Sequence, residues 1–430
     1  MTDDLKFIYK KYQASGKVST DTRRLTPGAV FFALRGENFN GNALAREALE
    51  KGAAWAVVDE AAWANDERCL LVEDSLQTLQ HLARHHRQQL NIPVIGLTGS
   101  NGKTTTKELM HAALAQRYRV LATAGNLNNH IGVPLTLLAI DHTVEIAVIE
   151  MGANHVGEIA HLCDLANPTH GLITNIGQAH IGTFGGMDNI IKGKSELYAH
   201  LAKHQGTVWI NSQNQLLTNM AGWFKDPLFY PARNDFYHCE LLAADPYVKV
   251  RTEEGEIIST NLIGAYNFEN VAAALCVAKF FKVDSHKAAE AMRNYVPANM
   301  RSQVIKRGSN TIILDAYNAN PSSMEAAIAS LSHMPAEHKV AILGDMFELG
   351  EETEQAHRRL AAWLEAAKIG EVYLCGQLIR PAFLHQPGVK YFETRELLIN
   401  YLKEHPIRNS TILVKASRGM ALEHIIDHLP

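Results

Sequence analysis

The sequence predicts an α/β protein of three domains, and three observations support this fold class. The chain has 430 residues, several times the length of an ordinary domain of about 150 residues. From Pro93 onward, short apolar runs alternate with helix-like segments, which is typical of a mostly parallel sheet with helices on both faces. A proline-containing break at Tyr295–Asn299 separates two such regions. We therefore expect domains over residues 1–90, 91–296 and 297–430.

Each predicted element has a local reason. Runs of three to six apolar or small residues bounded by polar or turn residues are typical of buried strands, and apolar residues spaced three and four apart indicate helices. The predicted strands are Val30–Leu34, Ala54–Val58, Pro93–Leu97, Glu145–Ile149, Leu172–Ile176, Thr311–Leu314, Lys339–Leu343, Val372–Leu374 and Thr411–Val414. The clearest predicted helices are Ala43–Lys51, Leu76–Leu90 and Thr104–Ala115.

Composition narrows the classes of function. The chain is 47% hydrophobic and 20% charged, with a formal net charge of -4 and no Lys/Arg block, which argues against binding nucleic acid by bulk electrostatics. Its partners are expected to be small molecules. The start MTDDLKFIYKKYQ lacks the pattern of a secretory signal, and no window approaches 18 apolar residues, so we expect a cytoplasmic protein without a membrane span. The five cysteines form no CxxC, so neither disulfides nor a zinc site is indicated.

The stretch GLTGSNGKTTTK, residues 96–107, has the composition of a phosphate-binding loop. Between a buried strand and a helix, its backbone N–H groups would converge on an anion at the helix N-terminus. Lys103 would reach the β and γ phosphates, and the Thr104 hydroxyl would bind Mg²⁺. Leu97 stands where the usual G-x-x-x-x-G-K-[ST] pattern has glycine, so the loop is a tighter G-x-x-G-K-T variant. The candidate nucleotide-binding residues of the loop are Gly99, Ser100, Asn101, Gly102, Lys103, Thr104 and Thr105.

Residues beyond the loop indicate which kind of nucleotide site this is. Glu150 closes an apolar strand, and a carboxylate at the carboxyl end of a parallel strand faces the ligand crevice, where a Mg²⁺ ligand is needed. No Asn-Lys-x-Asp guanine-reading motif follows the loop, and Glu rather than Asp closes the strand, which leads away from switch GTPases and motors. His180 also follows a predicted strand, although a lone histidine is more often structural. By itself, Lys194 cannot be told from a solvated surface lysine.

With these residues together, the chain resembles the Mur ligases, the ATP-dependent amide-forming enzymes of peptidoglycan precursor synthesis. The resemblance covers all three regions and includes the tight loop T-G-x-N/S-G-K-T at residues 98–104. It implies an N-terminal UDP-binding domain, a central P-loop ATPase-like domain, and a C-terminal Rossmann-like domain that completes the ATP and D-alanyl-D-alanine sites. It also implies that Glu150 binds Mg²⁺ and that His180 binds a second Mg²⁺, which a carbamoylated Lys194 helps to hold. The implied metal ligands are thus Thr104, Glu150, His180 and Lys194, and the implied catalytic set is Lys103, Glu150, His180 and Lys194.

Other residues are implied by the resemblance alone. The G-x-H-N-x-x-N motif appears at residues 264–270 with Tyr266 in place of the histidine. Stretches at 124–134, 315–321, 344–350 and 414–418 resemble the branch that adds D-alanyl-D-alanine to UDP-N-acetylmuramoyl-tripeptide. Residues 19–23 and 32–36 resemble a UDP-binding segment, with Asn40-Gly-Asn42 in place of the usual D-G-H or D-A-H. The implied nucleotide contacts are Asn267, Asn270, Arg301 and Asp315. The implied substrate contacts are Thr22, Arg23, Arg35, Asn126, Asn128, Asn129, Asn318 and Asn320.

The resemblance implies an ATP- and Mg²⁺-dependent peptide ligase that works through an acyl phosphate and completes the UDP-muramoyl-pentapeptide, with a monomer expected. The preceding branch of the family is an alternative, but its D-N-P-R motif is not found here. A folylpolyglutamate synthase is a second alternative, although such enzymes normally start near their phosphate-binding loop. A non-catalytic ATP-dependent binding protein is the alternative from another class, and the presence of Glu150, His180 and Lys194 disfavours it.

Overall fold

The fold is known from a computed structural model that describes residues 3–380 and 388–430. Three successive regions of the chain each build a parallel or mostly parallel sheet flanked by helices, as the alternating pattern predicts. The α/β fold class is therefore confirmed. Within the described residues, no helix is both long enough and apolar enough to cross a membrane.

The N-terminal region holds a sheet of four parallel strands in the order β1-β2-β5-β6. Its strands are β1 (Val18–Ser19), β2 (Val30–Phe32), β5 (Trp55–Val58) and β6 (Cys69–Leu71), with a small hairpin of β3 (Arg35–Gly36) and β4 (Phe39–Asn40). Its helices are α1 (Asp3–Ser15), α2 (Ala45–Glu50) and α3 (Ser75–Gln89). All three residues of β2 are buried, because helices cover both faces of this short sheet.

The central region contains a six-stranded parallel sheet in the order β12-β11-β10-β7-β9-β8. These strands are β7 (Val94–Thr98), β8 (Val120–Ala122), β9 (Ile146–Glu150), β10 (His170–Ile173), β11 (Thr207–Asn211) and β12 (Leu228–Tyr230). The first five helices are α4 (Lys103–Leu114), α5 (Gly132–Leu138), α6 (Glu158–Ala166), α7 (Ile181–Phe184) and α8 (Met187–Lys203). Strand β7 lies between β9 and β10, so the carboxyl ends of these three strands meet at one edge.

An antiparallel three-stranded sheet follows, which the sequence did not predict. It consists of β13 (Cys239–Ala244), β14 (Tyr247–Thr252) and β15 (Ile257–Ile263). Helices α9 (Gln215–Thr218), α10 (Asn267–Phe280) and α11 (Ser285–Asn294) complete the central region. The inward-facing residues of this sheet share an apolar core with α4 and α10.

The C-terminal region has six strands in the order β16-β17-β21-β18-β19-β20, with only β16 antiparallel to its neighbour. The strands are β16 (Gln303–Arg307), β17 (Asn310–Leu314), β18 (Lys339–Gly344), β19 (Glu371–Cys375), β20 (Val389–Phe392) and β21 (Thr411–Lys415). The helices are α12 (Pro321–His333), α13 (Thr353–Ala367) and α14 (Arg395–Glu404).

Helix α3 fastens the N-terminal region to the central one. The buried Arg87 guanidinium donates hydrogen bonds to Ala166 O at 2.8 Å and Asn167 O at 3.0 Å. Tyr12 of α1 donates to Leu138 O at 2.8 Å, and one apolar core continues across both regions. These two regions therefore share a continuous, buried interface.

Two predicted strand boundaries are wrong. The strand predicted over Val30–Leu34 ends at Phe32. The strand predicted to reach Ile176 ends at Ile173, because Thr174 and Asn175 leave the sheet to contact the loop after β7. Their side chains form hydrogen bonds to Asn101 of that loop.

Candidate active site

The predicted phosphate-binding loop connects β7 to α4, and two of its turns require glycine. Gly99 has φ of 148°, and a Cβ there would lie 2.0 Å from Thr174 Oγ1. Gly102 has φ of 80°, and a Cβ there would lie 2.5 Å from Asn270 Oδ1. A side chain at either position would therefore displace a neighbour as well as strain the backbone. Thr105 is buried in the first turn of α4.

Residues that follow β10 hold the loop in place. Asn101 N donates to Asn175 Oδ1 at 2.9 Å, and Thr174 Oγ1 donates to Asn101 O at 2.6 Å. Ser100 Oγ donates to Gly177 O at 2.8 Å. These contacts fix the loop directly before the N-terminus of α4, where an anion is favoured.

Lys103 is the first residue of α4, and its side chain folds back over the loop. Its Nζ donates to Gly99 O at 2.7 Å and to Ser100 O at 3.3 Å. Burial lowers the pKa of Lys103 to about 8, with Glu150 opposing the shift and Arg301 adding to it. A phosphate in the loop would stabilise the charged ammonium and raise this pKa again.

Glu150, the last residue of β9, is 1% exposed and faces the start of α4. Its Oε1 accepts hydrogen bonds from Thr104 Oγ1 at 3.2 Å and from Asn128 Nδ2 at 2.8 Å. Within the described part of the chain, Oε2 has no hydrogen-bond partner, and Lys107 Nζ lies 3.5 Å away as a buried ion pair. A buried carboxylate oxygen with this unused acceptor capacity, beside a threonine hydroxyl, fits a hard divalent cation.

The donor set fits Mg²⁺ that arrives with a nucleotide. Over residues 3–380 and 388–430, no three His, Cys, Asp or Glu side chains converge to form a metal site made of protein alone. A cation beside Glu150 would therefore take most of its ligands from phosphate oxygens and water, which is how Mg²⁺ is usually held.

His180 lies at the boundary between the central and C-terminal regions. It precedes α7 in the left-handed conformation, with φ of 58°, which is uncommon for a residue other than glycine. Its Nδ1 contacts the carboxylate of Glu348, which follows β18, and this contact lowers the pKa of Glu348 below its usual range. Gly182 N donates to Glu348 O at 3.1 Å. The backbone and the side chain of the C-terminal loop are thus both joined to the histidine segment.

Lys194 is a buried residue of α8, 1% exposed, so the surface-lysine alternative is wrong. Its Nζ donates to Ala153 O at 3.3 Å and lies 5.3 Å from the ring centre of Phe184. Burial lowers the pKa of Lys194 to about 7, and the positive charge of Lys103 adds to this shift. A substantial neutral fraction near pH 7 leaves the amine nucleophilic.

The two predicted asparagines of α10 lie beneath the loop. Asn270 Oδ1 accepts a hydrogen bond from Thr106 Oγ1 at 2.9 Å, and Asn270 Nδ2 donates to Asn267 Oδ1 at 2.8 Å. They connect α10 to α4 and set the floor of the loop. Arg301 belongs to the C-terminal region, and its guanidinium lies 3.8 Å from the ring centre of Tyr317.

Asp315 directly follows β17, and its carboxylate forms an ion pair with the buried Lys415. Its Oδ2 pairs with Lys415 Nζ at 2.6 Å, and its Oδ1 accepts from Ser302 N at 3.1 Å. Lys415 also donates to Asn318 O at 3.0 Å. The carboxylate is thereby fixed beside the region where Arg301 lies.

The N-terminus of α12 contacts the phosphate-binding loop directly. Asn101 Nδ2 donates to Ser322 Oγ at 2.9 Å, and Asn320 Nδ2 donates to Asn101 Oδ1 at 2.9 Å. Asn320 also caps α12 by accepting from Ser323 N. The structure therefore brings this predicted substrate residue to the loop.

The N-terminal substrate candidates lie in a turn and a hairpin of the N-terminal region and not at the loop. Thr22 is buried at the start of a short 3₁₀ turn. Arg23 pairs with Asp21 at 2.8 Å, and Arg35 with Asp59 at 3.3 Å, with both arginines largely exposed. Exposed guanidinium groups of this kind suit an anionic ligand such as a diphosphate.

Three further asparagines have local surroundings that differ from one another. Asn42 is buried, where its Nδ2 donates to Asp59 Oδ1 at 2.7 Å and its Oδ1 accepts from Asp59 N at 2.9 Å, so it supports the turn. Asn129 Oδ1 accepts a hydrogen bond at 2.9 Å from the backbone N–H of Gly132, the first residue of α5. Asn126 is exposed on the same loop.

Sequence reasoning did not assign a role to four residues that complete this site. They are Lys107, Ser322, Glu348 and Lys415. Glu348 and Lys415 fall within the stretches at 344–350 and 414–418, so a closer inspection of charged residues in those stretches could have found them. Lys107 lies in the stretch 96–107, but nothing local indicates that it pairs with Glu150. Ser322 carries no local signal, because only the packing of the C-terminal region brings it to the loop.

Comparison with known proteins assigns the whole chain to one family. Three family descriptions match in order: the catalytic domain of the Mur ligase family over 16–96, the Mur ligase middle domain over 97–278, and the Mur ligase glutamate ligase domain over 300–418. A UDP-N-acetylmuramoyl-tripeptide–D-alanyl-D-alanine ligase of Bacillus subtilis is 37% identical over 426 residues, covering 96% of this chain and 92% of the relative.

Solved structures agree in fold. A crystal structure of MurF from Acinetobacter baumannii superposes with a TM-score of 0.85 at 31% identity, covering 96% of this chain and 93% of its own. MurF ligase from Thermotoga maritima in complex with ADP gives 0.84 at 26% identity, covering 100% of this chain and 98% of its own.

Proposed function

This chain belongs to the Mur ligase family, and we propose that it joins D-alanyl-D-alanine to UDP-N-acetylmuramoyl-tripeptide as ATP is converted to ADP and phosphate. The observation that carries the proposal is that the phosphate-binding loop, Glu150 and the buried Lys194, which donates to Ala153 O after β9, lie at one edge of the central sheet. A ligase of this kind matches the chain along 96% of its length. The product is the cytoplasmic UDP-muramoyl-pentapeptide, a precursor of peptidoglycan.

The chemistry required is activation of a carboxylate. Direct attack by an amine would have to expel oxide, so the terminal carboxylate of the tripeptide first attacks the γ-phosphorus of ATP and releases ADP. The amine of D-alanyl-D-alanine then attacks the acyl carbon of the resulting acyl phosphate. The tetrahedral intermediate expels phosphate and leaves the new amide bond. The protein contributes mainly charge neutralisation and in-line positioning.

The loop residues have separate roles in this proposal. Backbone N–H groups of residues 99–105 hold the phosphates, and Lys103 neutralises the transferred phosphoryl group. Thr104 and Glu150 would hold the first Mg²⁺, and His180 and carbamoylated Lys194 would hold the second. Bound ions would supply neutralisation of charge on the attacking and leaving oxygens.

Lys194 supports this assignment because its surroundings favour carbamate formation. A neutral amine adds to CO₂ and loses a proton, which converts a cation into an anionic oxygen ligand. The buried position of Nζ and the lowered pKa of about 7 both supply that neutral amine.

The three substrates are assigned to different regions. We place the UDP moiety near Thr22, Arg23 and Arg35 in a domain over 1–90. We place ATP between the domains over 91–296 and 297–430, with Asn267, Asn270, Arg301 and Asp315 on its nucleoside side. The dipeptide site is assigned to Asn126, Asn128, Asn129, Asn318 and Asn320. We propose that the protein works as a monomer in the cytoplasm.

The test is phosphate release with UDP-muramoyl tripeptides that carry either meso-diaminopimelate or lysine, each with and without D-alanyl-D-alanine. Release that requires both the nucleotide peptide and the dipeptide supports the proposal. Release with a folate and glutamate instead would support the folylpolyglutamate alternative, and ATP binding without turnover would support a binding protein. In Lys194→Ala, loss of turnover with partial rescue by a short carboxylic acid tests the carbamate separately.

A further inference from the structure

Tyr266 forms a side-chain bridge between the central and C-terminal regions at the nucleotide side of the site. It lies directly before α10, and its hydroxyl shares a hydrogen bond of 2.7 Å with Ser302 Oγ, directly before β16. Gly264, with φ of 89°, leaves space for the tyrosine ring, because a Cβ there would lie 2.4 Å from it. Both the ring and the hydroxyl of Tyr266 are therefore accommodated by the local fold.

The bridge ends on a strained segment of backbone. Met300 and Ser302 have φ of 53° and 52°, in the left-handed region that residues with side chains rarely adopt. Such conformations persist only when surrounding contacts fix them. Here the contacts are Ser302 N to Asp315 Oδ1 at 3.1 Å, Tyr317 N to Met300 O at 3.2 Å, and the Tyr266 hydroxyl.

Arg301 lies between the two strained residues. Its guanidinium rests over the ring of Tyr317 at 3.8 Å. Its Nε is buried and, in the described part of the chain, has no hydrogen-bond partner. The direction of this side chain therefore depends on the backbone conformation of its two neighbours, and the unused donor is available to a ligand.

We propose that Tyr266 is a positioning residue for the nucleotide: its hydroxyl, through Ser302, fixes the 300–302 segment so that Arg301 is oriented toward ATP. This inference rests on the proposed function in taking ATP as the ligand and Arg301 as one of its contacts. Tyr266 itself touches no reacting atom. Because the bridge joins the two regions between which ATP lies, it couples nucleotide affinity to their contact.

The test is calorimetric titration of ADP, with MgCl₂ present, into wild type, Tyr266→Phe, Ser302→Ala and the double variant. Loss of one neutral hydrogen bond predicts ADP affinity reduced about fivefold in each single variant, which corresponds to about 1 kcal/mol. The double variant should bind ADP no more weakly than either single variant, because both remove the same bond. Tyr118→Phe is the matched control, since it removes the hydroxyl bond to Phe281 O at 2.8 Å, and its ADP affinity should be unchanged.

A second background separates positioning from a general structural role. If the bridge acts through Arg301, Tyr266→Phe should change ADP affinity by less than twofold once Arg301→Ala is present. The same fivefold loss in both backgrounds would overturn the proposal, as would unchanged ADP affinity in Tyr266→Phe. In the ligase assay, the KM for ATP should rise about fivefold in Tyr266→Phe while kcat and the KM for the dipeptide stay within twofold.

The same measurements distinguish this inference from the proposed function. Wild type that binds ADP and turns over, together with Tyr266→Phe that binds ADP equally well, overturns only the role of Tyr266. Wild type that binds ADP without ligase activity overturns the proposed function, while the affinity comparison among variants still tests the bridge.

Discussion

Replacing Lys194 with methionine is expected to abolish ligase activity and make the resting protein more stable near neutral pH. The lysine side chain is 1% exposed, and its Nζ donates to the carbonyl oxygen of Ala153 at 3.3 Å. Burial lowers its pKa to about 7, so folding near neutral pH works against protonation of this amine. Methionine has a similar length and carries no charge, which removes this conflict.

The magnitude follows from proton linkage. The pKa of Lys194 falls from 10.5 in the unfolded chain to about 7 in the folded one, which at pH 7 destabilises the fold by about 4 kcal/mol. Because the folded pKa is the lower one, this cost is complete below pH 7, declines as pH rises toward 10.5, and is absent above it. Losing the hydrogen bond to Ala153 O offsets about 1 kcal/mol. The net advantage of Lys194→Met is therefore about 3 kcal/mol at pH 7 and close to zero at pH 9.5.

The assay is urea unfolding of both proteins at pH 7 and pH 9.5, in CO₂-free buffer without Mg²⁺ or substrates. Because a three-domain chain need not unfold in one step, the readout is how the difference in unfolding midpoint changes with pH. Lys203→Met, at the exposed end of the same helix, is the control and should show no pH-dependent advantage. A Lys194→Met protein that is less stable at pH 7, or whose advantage is the same at both pH values, would refute this reasoning.

Three further predictions concern the loop, the metal site and the contact between regions. Gly99→Ala should lose detectable ADP binding in calorimetry, because its Cβ would lie 2.0 Å from the hydroxyl oxygen of Thr174. Gly255→Ala is the control: Gly255 also has a positive φ but has open space around it, so this variant should bind ADP normally. Glu150→Gln should raise the Mg²⁺ concentration for half-maximal phosphate release at least about tenfold, because a neutral amide replaces the buried carboxylate. An unchanged Mg²⁺ dependence would show that Glu150 is not a metal ligand. Glu348→Ala should raise the radius of gyration in X-ray scattering by weakening the contact between regions, whereas Glu354→Ala, in an exposed pair on α13, should not.

Local sequence patterns were sufficient to predict the central part of the site, which is the loop and the position of Glu150. The glycine spacing predicts the loop, and the apolar strand before Glu150 predicts where its carboxylate lies, because neighbouring parallel strands end at one edge. The structure pairs Leu97 with Glu150 and Thr98 with Ile173, which is this arrangement. These features depend on contacts between adjacent strands, and such contacts follow from the order of elements along the chain.

Contacts between regions could not be predicted in the same way. Nothing near His180 indicates that Glu348 contacts it, and nothing near Tyr266 indicates its partner Ser302. Lys194 shows the same limit for burial, since its helix sequence alone does not distinguish a buried lysine from a solvated one. Each of these features depends on the relative placement of regions or on long-range packing, which local periodicity does not encode.

The central region shares one apolar core with both of its neighbours, and the C-terminal region adds polar contacts that bear on how the acyl phosphate would be protected from water. The N-terminal region is attached through this core and through the buried Arg87, so its separation would expose apolar surface to water and break the hydrogen bonds of the guanidinium to its carbonyl partners. The C-terminal region reaches the loop through polar side chains, such as Ser322 on Asn101 and Glu348 on His180. Its residues Met346 and Leu349 also belong to the apolar core that contains Ile181 and Phe184 of the central region. Opening between the central and C-terminal regions to admit ATP would therefore expose apolar surface as well as break these polar contacts. The same polar contacts, re-formed around bound substrates, would exclude water while the acyl phosphate exists.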